Sequence, residues 1–223
     1  MTFYDRLLAE TKDARSDFIS LPLIGRALNG DVPQDLYLDY LAQAYHHVRH
    51  TCPLLAFAAS RTQDSRYQGA LFRYLDEELG HHEWILDDIR SLGGDADAAA
   101  RDKPSVACRL MICYAYYAIE WISPYTLLGM VHVLEGMSVH LAERAASAIQ
   151  KTFGLAGDRG VRYLRSHGAL DVQHLSFLQS FVNGIGDPAA EDAIVDSATM
   201  FYHLYSGIFV DLVARRGGAR NAA

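Results

Sequence analysis

The sequence predicts an all-α protein folded as one helical domain over residues 1–223. Three observations carry this. Apolar residues recur at three- and four-residue spacing through about seven long stretches. Each stretch is bounded by residues that start or stop helices. No segment shows sustained strand alternation with turn residues at hairpin spacing. Half of the 223 residues are hydrophobic and 21% are charged, so the chain can bury a core and does not read as disordered. No repeat of fixed period is visible.

The first stretch runs from about Thr2 to Phe18, with Phe3, Leu7 and Leu8 at helical spacing, and a loop is expected from Leu21 to Val32. Asp31 as a cap and Pro33 in the first turn open the second, which runs to about Arg61 and should kink at Pro53. The third spans about Asp64 to Leu92 and stops at Gly93-Gly94. Asp95 to Lys103 reads as a polar linker. Pro104-Ser105 opens the fourth, to about Ile122, which is rich in aromatic and β-branched residues. Pro124 opens the fifth, ending near Phe153-Gly154, and the sixth covers about Val161 to Ile185. Asp187-Pro188 opens the seventh, which closes at Arg215-Arg216-Gly217-Gly218 ahead of a frayed tail.

Charge and composition exclude several classes. Twenty basic residues against 27 acidic ones disfavour a nucleic-acid binder. No apolar run reaches the ~18 residues of a membrane span, and the N-terminal residues lack the apolar centre of a signal peptide. A soluble cytoplasmic protein is expected. Cys52, Cys108 and Cys113 are odd in number and have no CxxC spacing, which indicates neither a disulfide frame nor a cysteine zinc site. Ten histidines are more imidazole than surface chemistry calls for.

The sharpest chemical feature is in the sixth stretch. On a helix, Asp171 lies about 40° from His167 and His174 about 20° to the other side, so three ligand-type side chains share one stripe. Leu164, Leu170, Leu175, Phe177, Leu178 and Phe181 surround the stripe and should bury part of it. Buried imidazole and carboxylate need partners; a metal ion or a His-Asp-His hydrogen-bond chain would supply them. The third stretch holds Glu78 and His81 at the Glu-x-x-His spacing of carboxylate-bridged di-iron bundles. Glu77/His81 and Glu78/His82 are competing pairs, and a solvated charged face is the plainer alternative. Gly80 inside that helix costs about 1 kcal/mol against Ala, which a close approach by a helix or ligand would explain.

Glu135 stands in an otherwise apolar stretch and must be protonated, metal-bound or paired with an arginine such as Arg109 or Arg162. Gly129 and Gly136 flank it and permit close packing. Asp171-x-x-His174 echoes Glu78-x-x-His81, with Glu135 as the expected bridge and His167 as the third imidazole. Three carboxylates around two ferrous ions leave a net charge of about +1, and the nitrogen–oxygen mix suits iron, or manganese, better than structural zinc.

This ordered set resembles the heme-oxygenase-like di-iron oxidases and oxygenases, a superfamily that also holds TenA-type thiaminase II, pyrroloquinoline-quinone synthase and heme oxygenase. The resemblance covers nearly the whole chain. It implies a seven-helix heme-oxygenase-like bundle and an O2-dependent di-iron oxidoreductase, acting on a small carboxylic acid, amino acid or amine. It also implies Glu78, His81, Glu135, His167, Asp171 and His174 as metal ligands, with no catalytic residue named beyond them. Partners would be the small substrate, an electron donor and a second copy in a homodimer. Heme oxygenase takes its iron-bound His from the first helix, and here the first His is His46. Thiaminase II needs a nucleophilic Cys, whereas Cys108 and Cys113 sit among Met111, Ile112, Tyr114 and Tyr116 and read as core. The alternative is a metal-free TenA- or pyrroloquinoline-quinone-synthase-like binding or salvage protein.

Other residues read as supporting ones. His46 and His50 lie four apart with no acid within a turn, so pocket-lining or surface roles are expected for them and for His47. His132 is placed to orient Glu135. Arg49 is a candidate for a substrate carboxylate, and Trp84 and Trp121 read as core.

Overall fold

The computed structural model describes residues 1–220, apart from the side chains of Leu170 and of residues 216–220. It is all-α. The described residues form twelve helical segments, which follow the seven expected stretches with breaks and two additions.

The first stretch is α1 (Phe3–Glu10) and α2 (Lys12–Ile19). Thr2 and Asp5 close a capping box at its start, each side chain accepting from the other's backbone N–H. The expected loop contains α3 (Pro22–Leu28), where Pro22 sits in the first turn and Leu23 and Ile24 are buried. Burial of that apolar face makes a helix out of a short segment that periodicity alone does not reveal.

The second stretch divides into α4 (Gln34–Val48) and α5 (Thr51–Arg61). Pro53 has no N–H to return to Arg49, and the chain answers with a break at Arg49-His50 that leaves Pro53 in a first turn rather than in a kinked interior. Pro33, not Asp31, occupies the cap of α4; Asp31 instead accepts from Arg26 Nε at 3.1 Å.

The third stretch is α6 (Ser65–Glu78) and α7 (His81–Ser91). Gly80 joins them in the left-handed region at φ +88°, and nothing lies within 4 Å of where its Cβ would be. Gly is therefore there for its backbone conformation, not for the close approach expected of it. The expected polar linker holds α8 (Ala96–Arg101), capped by the Asp95 carboxylate.

The later helices are α9 (Val106–Trp121), α10 (Thr126–Phe153), α11 (Arg162–Val182) and α12 (Pro188–Arg220). The tail expected after Arg215 is helical through Arg220, and residues 221–223 lie outside the described residues. Helix α10 lies against α3, α5, α9, α11 and α12. Gly129 allows the contact with α12: a Cβ there would stand 2.7 Å from Ala198 N and Ile194 O. Gly136 has open space instead.

Buried apolar side chains from all twelve segments form one continuous cluster. Three residues expected in it are outside it: Trp84 is half-buried, Trp121 is 74% exposed and Cys113 is exposed, the last two on the outer face of α9. No helix among the described residues is long and apolar enough to cross a membrane.

Candidate metal centre

Four helices bring the chemistry together. The break between α6 and α7 leaves Glu78 as the last residue of one helix and His81 as the first of the next. Despite the break, His81 Nδ1 is 3.2 Å from Glu78 Oε2. Helix α10 supplies Glu135, and α11 supplies His167, Asp171 and His174. The start of α11 is held by α7: the buried Asp88 carboxylate accepts from Arg162 N at 3.1 Å and Tyr163 N at 2.8 Å. Val161, at the cap position, provides no side-chain bond, so a residue distant in sequence caps this helix. Burial pushes Asp88 up to about 6, while the two backbone donors pull the other way.

All six side chains converge. Glu78, Glu135, Asp171, His81 and His174 are buried and His167 is half-buried. Two groups of ligand atoms each lie within 4.8 Å of one another: Glu78 with His81 and His167, and Glu78 with Glu135 and His174. The residue common to both is Glu78, where the sequence suggested Glu135 as the bridge. Glu78 sits at a helix end, between the two groups, whereas Glu135 projects from the middle of α10 toward one of them. Asp171 belongs to neither group, but its Oδ1 is 3.7 Å from His174 Nδ1.

The doublets resolve. Glu78 and His81 turn inward; His82 turns outward beside Glu83, and the mostly exposed Glu77 accepts from His174 Nε2 at 2.9 Å. His174 Nδ1 then faces Glu135 Oε1 at 3.4 Å and Glu78 Oε1 at 3.7 Å. His167 is oriented the same way, with Nδ1 3.2 Å from the Tyr163 carbonyl and Nε2 3.9 Å from Glu78 Oε2. Such outer partners fix ring orientation and select which nitrogen faces inward.

The charges of the cluster act strongly on one another. Burial pushes the Glu135 carboxyl up to about 8, helped by the Asp171 charge and opposed by His174. Burial would lower His174, but Asp171, Glu135 and Glu78 outweigh it and lift it to about 11. Burial also raises Glu78, yet His81, His167 and His174 hold it below the usual carboxylate range. Glu135 Oε2, Asp171 Oδ1 and His174 Nδ1 are buried and make no hydrogen bond. Orphaned buried acceptors and imidazole nitrogens that all point inward are costly unless a cation joins them. The donor set, three carboxylates and three imidazoles, fits ferrous iron.

Several residues near the centre escaped sequence reasoning. The Trp84 indole stacks on His81 at 4.0 Å between centroids, Tyr163 meets His167 at 4.6 Å and Tyr74 meets His174 at 4.5 Å. Trp84 is half-buried, and Arg162 lies over its ring at 5.1 Å. Only the helical proximity of Trp84 to His81 could have signalled this. Arg162 is thus no partner for Glu135, which faces His174 Nδ1 at 3.4 Å. His132 does not orient Glu135: its two nitrogens are unpartnered and its ring lies edge-on to Tyr4 and Tyr202. Arg49 is exposed over the Tyr45 ring, away from the centre. His50 pairs with the Tyr116 hydroxyl at 3.0 Å.

A cavity of about 160 Å³ opens beside the centre. Glu78, Glu135, His167 and Asp171 form its polar end; Leu and Ala side chains of α3 and α10 make up much of the rest. His47 also faces it, held neutral because burial pushes it down to about 3.

The sequence matches a known family. The profile of the iron-containing redox enzymes matches residues 38–206, most of the chain. The chain belongs to that family. Solved structures share the fold. A protein of unknown function with a heme oxygenase-like fold from Shewanella denitrificans superposes with a TM-score of 0.88 at 22% identity, covering 100% of this chain and 97% of that one. A TenA homologue from Pseudomonas syringae pv. tomato gives 0.81 at 11% identity, covering 95% and 93%. A heme oxygenase from the cyanobacterium Synechocystis, solved in complex with heme, gives 0.75 at 15% identity, covering 100% and 97%. No curated protein matches the chain. This member of the iron-containing redox enzymes therefore has the heme oxygenase-like fold.

Proposed function

We propose that this family member holds two iron ions between α6, α7, α10 and α11 and is an O2-dependent non-heme oxidoreductase. Its substrate is a small carboxylic acid, amino acid or amine. The observation that carries this reading is the pair of ligand groups sharing Glu78, with three buried polar atoms left unpartnered in and beside the group of Glu135 and His174. His81 and His167 would serve one ion, Glu135 and His174 the other, with Glu78 common to both and Asp171 beside His174. Bound ferrous iron supplies the electrons and the coordination positions for O2 reduction. Manganese is the other ion this ligand set admits. Helices α1 and α2 carry no His, which removes the usual position of a heme ligand from the reading.

The chain's own residues set the conditions. Glu77 and the Tyr163 carbonyl hold the outer nitrogens of His174 and His167, so the inner ones stay aimed at the centre. Asp88 anchors the first turn of α11 and so sets the register of all three α11 ligands. The apolar cavity wall excludes water from the polar end and receives the apolar body of a substrate. His47 offers a neutral imidazole to the polar part.

Anaerobic ferrous titration with elemental analysis tests the reading. About two equivalents of iron per chain are expected, with an absorption change on admitting O2. Glu135→Ala and His174→Ala should lose most of that iron. Binding of less than one equivalent, or variants that bind as much as wild type, would leave only a metal-free small-molecule binder on the same scaffold.

A further inference from the structure

Helix α9 is built for two surroundings. Its inner face buries Cys108, Met111, Ala115 and Ile119. Its outer face carries Val106, Leu110, Cys113, Tyr117 and Trp121, spaced four, three, four and four residues apart, all of them exposed. At helical geometry these five lie within one stripe, the spacing of a helix–helix seam rather than of a solvated face. Ile122, the cap residue that follows Trp121, is exposed as well. At the start of α9, Asp211 of α12 accepts from Ala107 N at 3.2 Å.

We propose that the outer face of α9 is the interface of a two-fold dimer, covered by the same face of a second copy running antiparallel. Two observations select this occupant. The first is size. The exposed parts of these apolar side chains amount to roughly 700 Å², close to the ~800 Å² per partner of a standard stable interface and above the patch a monomer normally leaves open. The second is charge. Between Arg109 and Glu120 the helix has no charged residue; the two stand exposed with opposite sign, and Glu120, already paired with Arg61 of its own chain, keeps further acceptor capacity for a second arginine. Antiparallel pairing centred near Tyr114 sets Arg109 level with Glu120 of the partner subunit, twice over. It also sets Leu110 against the partner's Tyr117. Parallel pairing would oppose like charges instead. The same symmetry puts Cys113 near the axis, and it is the one exposed cysteine of the three.

The protein in sedimentation equilibrium at about 1–100 µM should have twice the chain mass. Leu110→Glu and Tyr117→Glu, at positions more than half exposed and outside the metal centre, should weaken dimerisation at least about 100-fold and leave the circular dichroism unchanged. A short bis-maleimide should cross-link the wild type and Cys52→Ser into dimers, but not Cys113→Ser. A wild type that remains monomeric at 100 µM overturns the proposal, as does a dimer that survives both glutamates or cross-links without Cys113. A monomer that co-sediments with lipid vesicles through the same stripe would overturn it too, by giving the face to a membrane surface.

Discussion

His132 illustrates what a single buried side chain can cost. Burial holds it down to about 4, with Arg15 and His140 adding to the effect, and neither nitrogen has a partner. An imidazole lowered in the folded state binds its proton more readily when unfolded, so folded stability is lost as pH falls below the ordinary value of about 6.5 toward 4. His132→Phe keeps the ring against Tyr4 and Tyr202 and removes the titration. Urea unfolding of the metal-free variant should show it roughly 2 kcal/mol more stable than wild type at pH 5, and closer to it at pH 8. An unchanged pH slope would show that His132 is not desolvated. The inward and outward residues of the Glu77/Glu78 and His81/His82 doublets belong to the same scale. Neighbouring residues of the same type are not separable from spacing, because only the rotation of the helix decides which one faces the protein.

Gly80 acts at the scale of elements. Two helical runs that periodicity joins into one are separated by its left-handed backbone, and the turn it makes aims Glu78 and His81 at one point. A residue with a Cβ at φ +88° costs about 1–2 kcal/mol even in open space. Gly80→Ala should lose that much in urea unfolding and bind iron more weakly, while Gly80→Asn, which tolerates the left-handed region better, should lose less. Equal stability of wild type and Gly80→Ala would mean that the break relaxes to continuous helix. Helix α11 depends in the same way on Asp88 from α7. Its chemistry was legible in the His167, Asp171 and His174 spacing, but its cap was not, since the bond joins residues more than seventy positions apart.

For the whole molecule, ligands drawn from four helices bind metal only when those helices are docked. Metal that binds the folded chain alone stabilises it by about 2.7 kcal/mol at a free concentration one hundred times its Kd. For a chain of this length that is a rise in Tm of roughly 5–10 °C. Differential scanning calorimetry under nitrogen should show the rise with ferrous iron, its reversal by a chelator, and its absence in Glu135→Ala. No shift at saturating iron would separate the cluster from any metal.

Patterning alone determined that the chain is helical, where most of its long helices run, and that carboxylates and imidazoles at ligand-type spacing lie in the third, fifth and sixth stretches, with the choice within Glu77/Glu78 and His81/His82 left open. Hydrophobic period, caps and ligand type are local properties, so a linear string records them. Tertiary structure decided that Glu78 rather than Glu135 is common to both ligand groups, that Glu77 and the aromatic rings flank the imidazoles, and that Trp121 and Cys113 face outward. These depend on which helices meet and how each is rotated about its own axis. That rotation is set by packing among residues far apart in the chain.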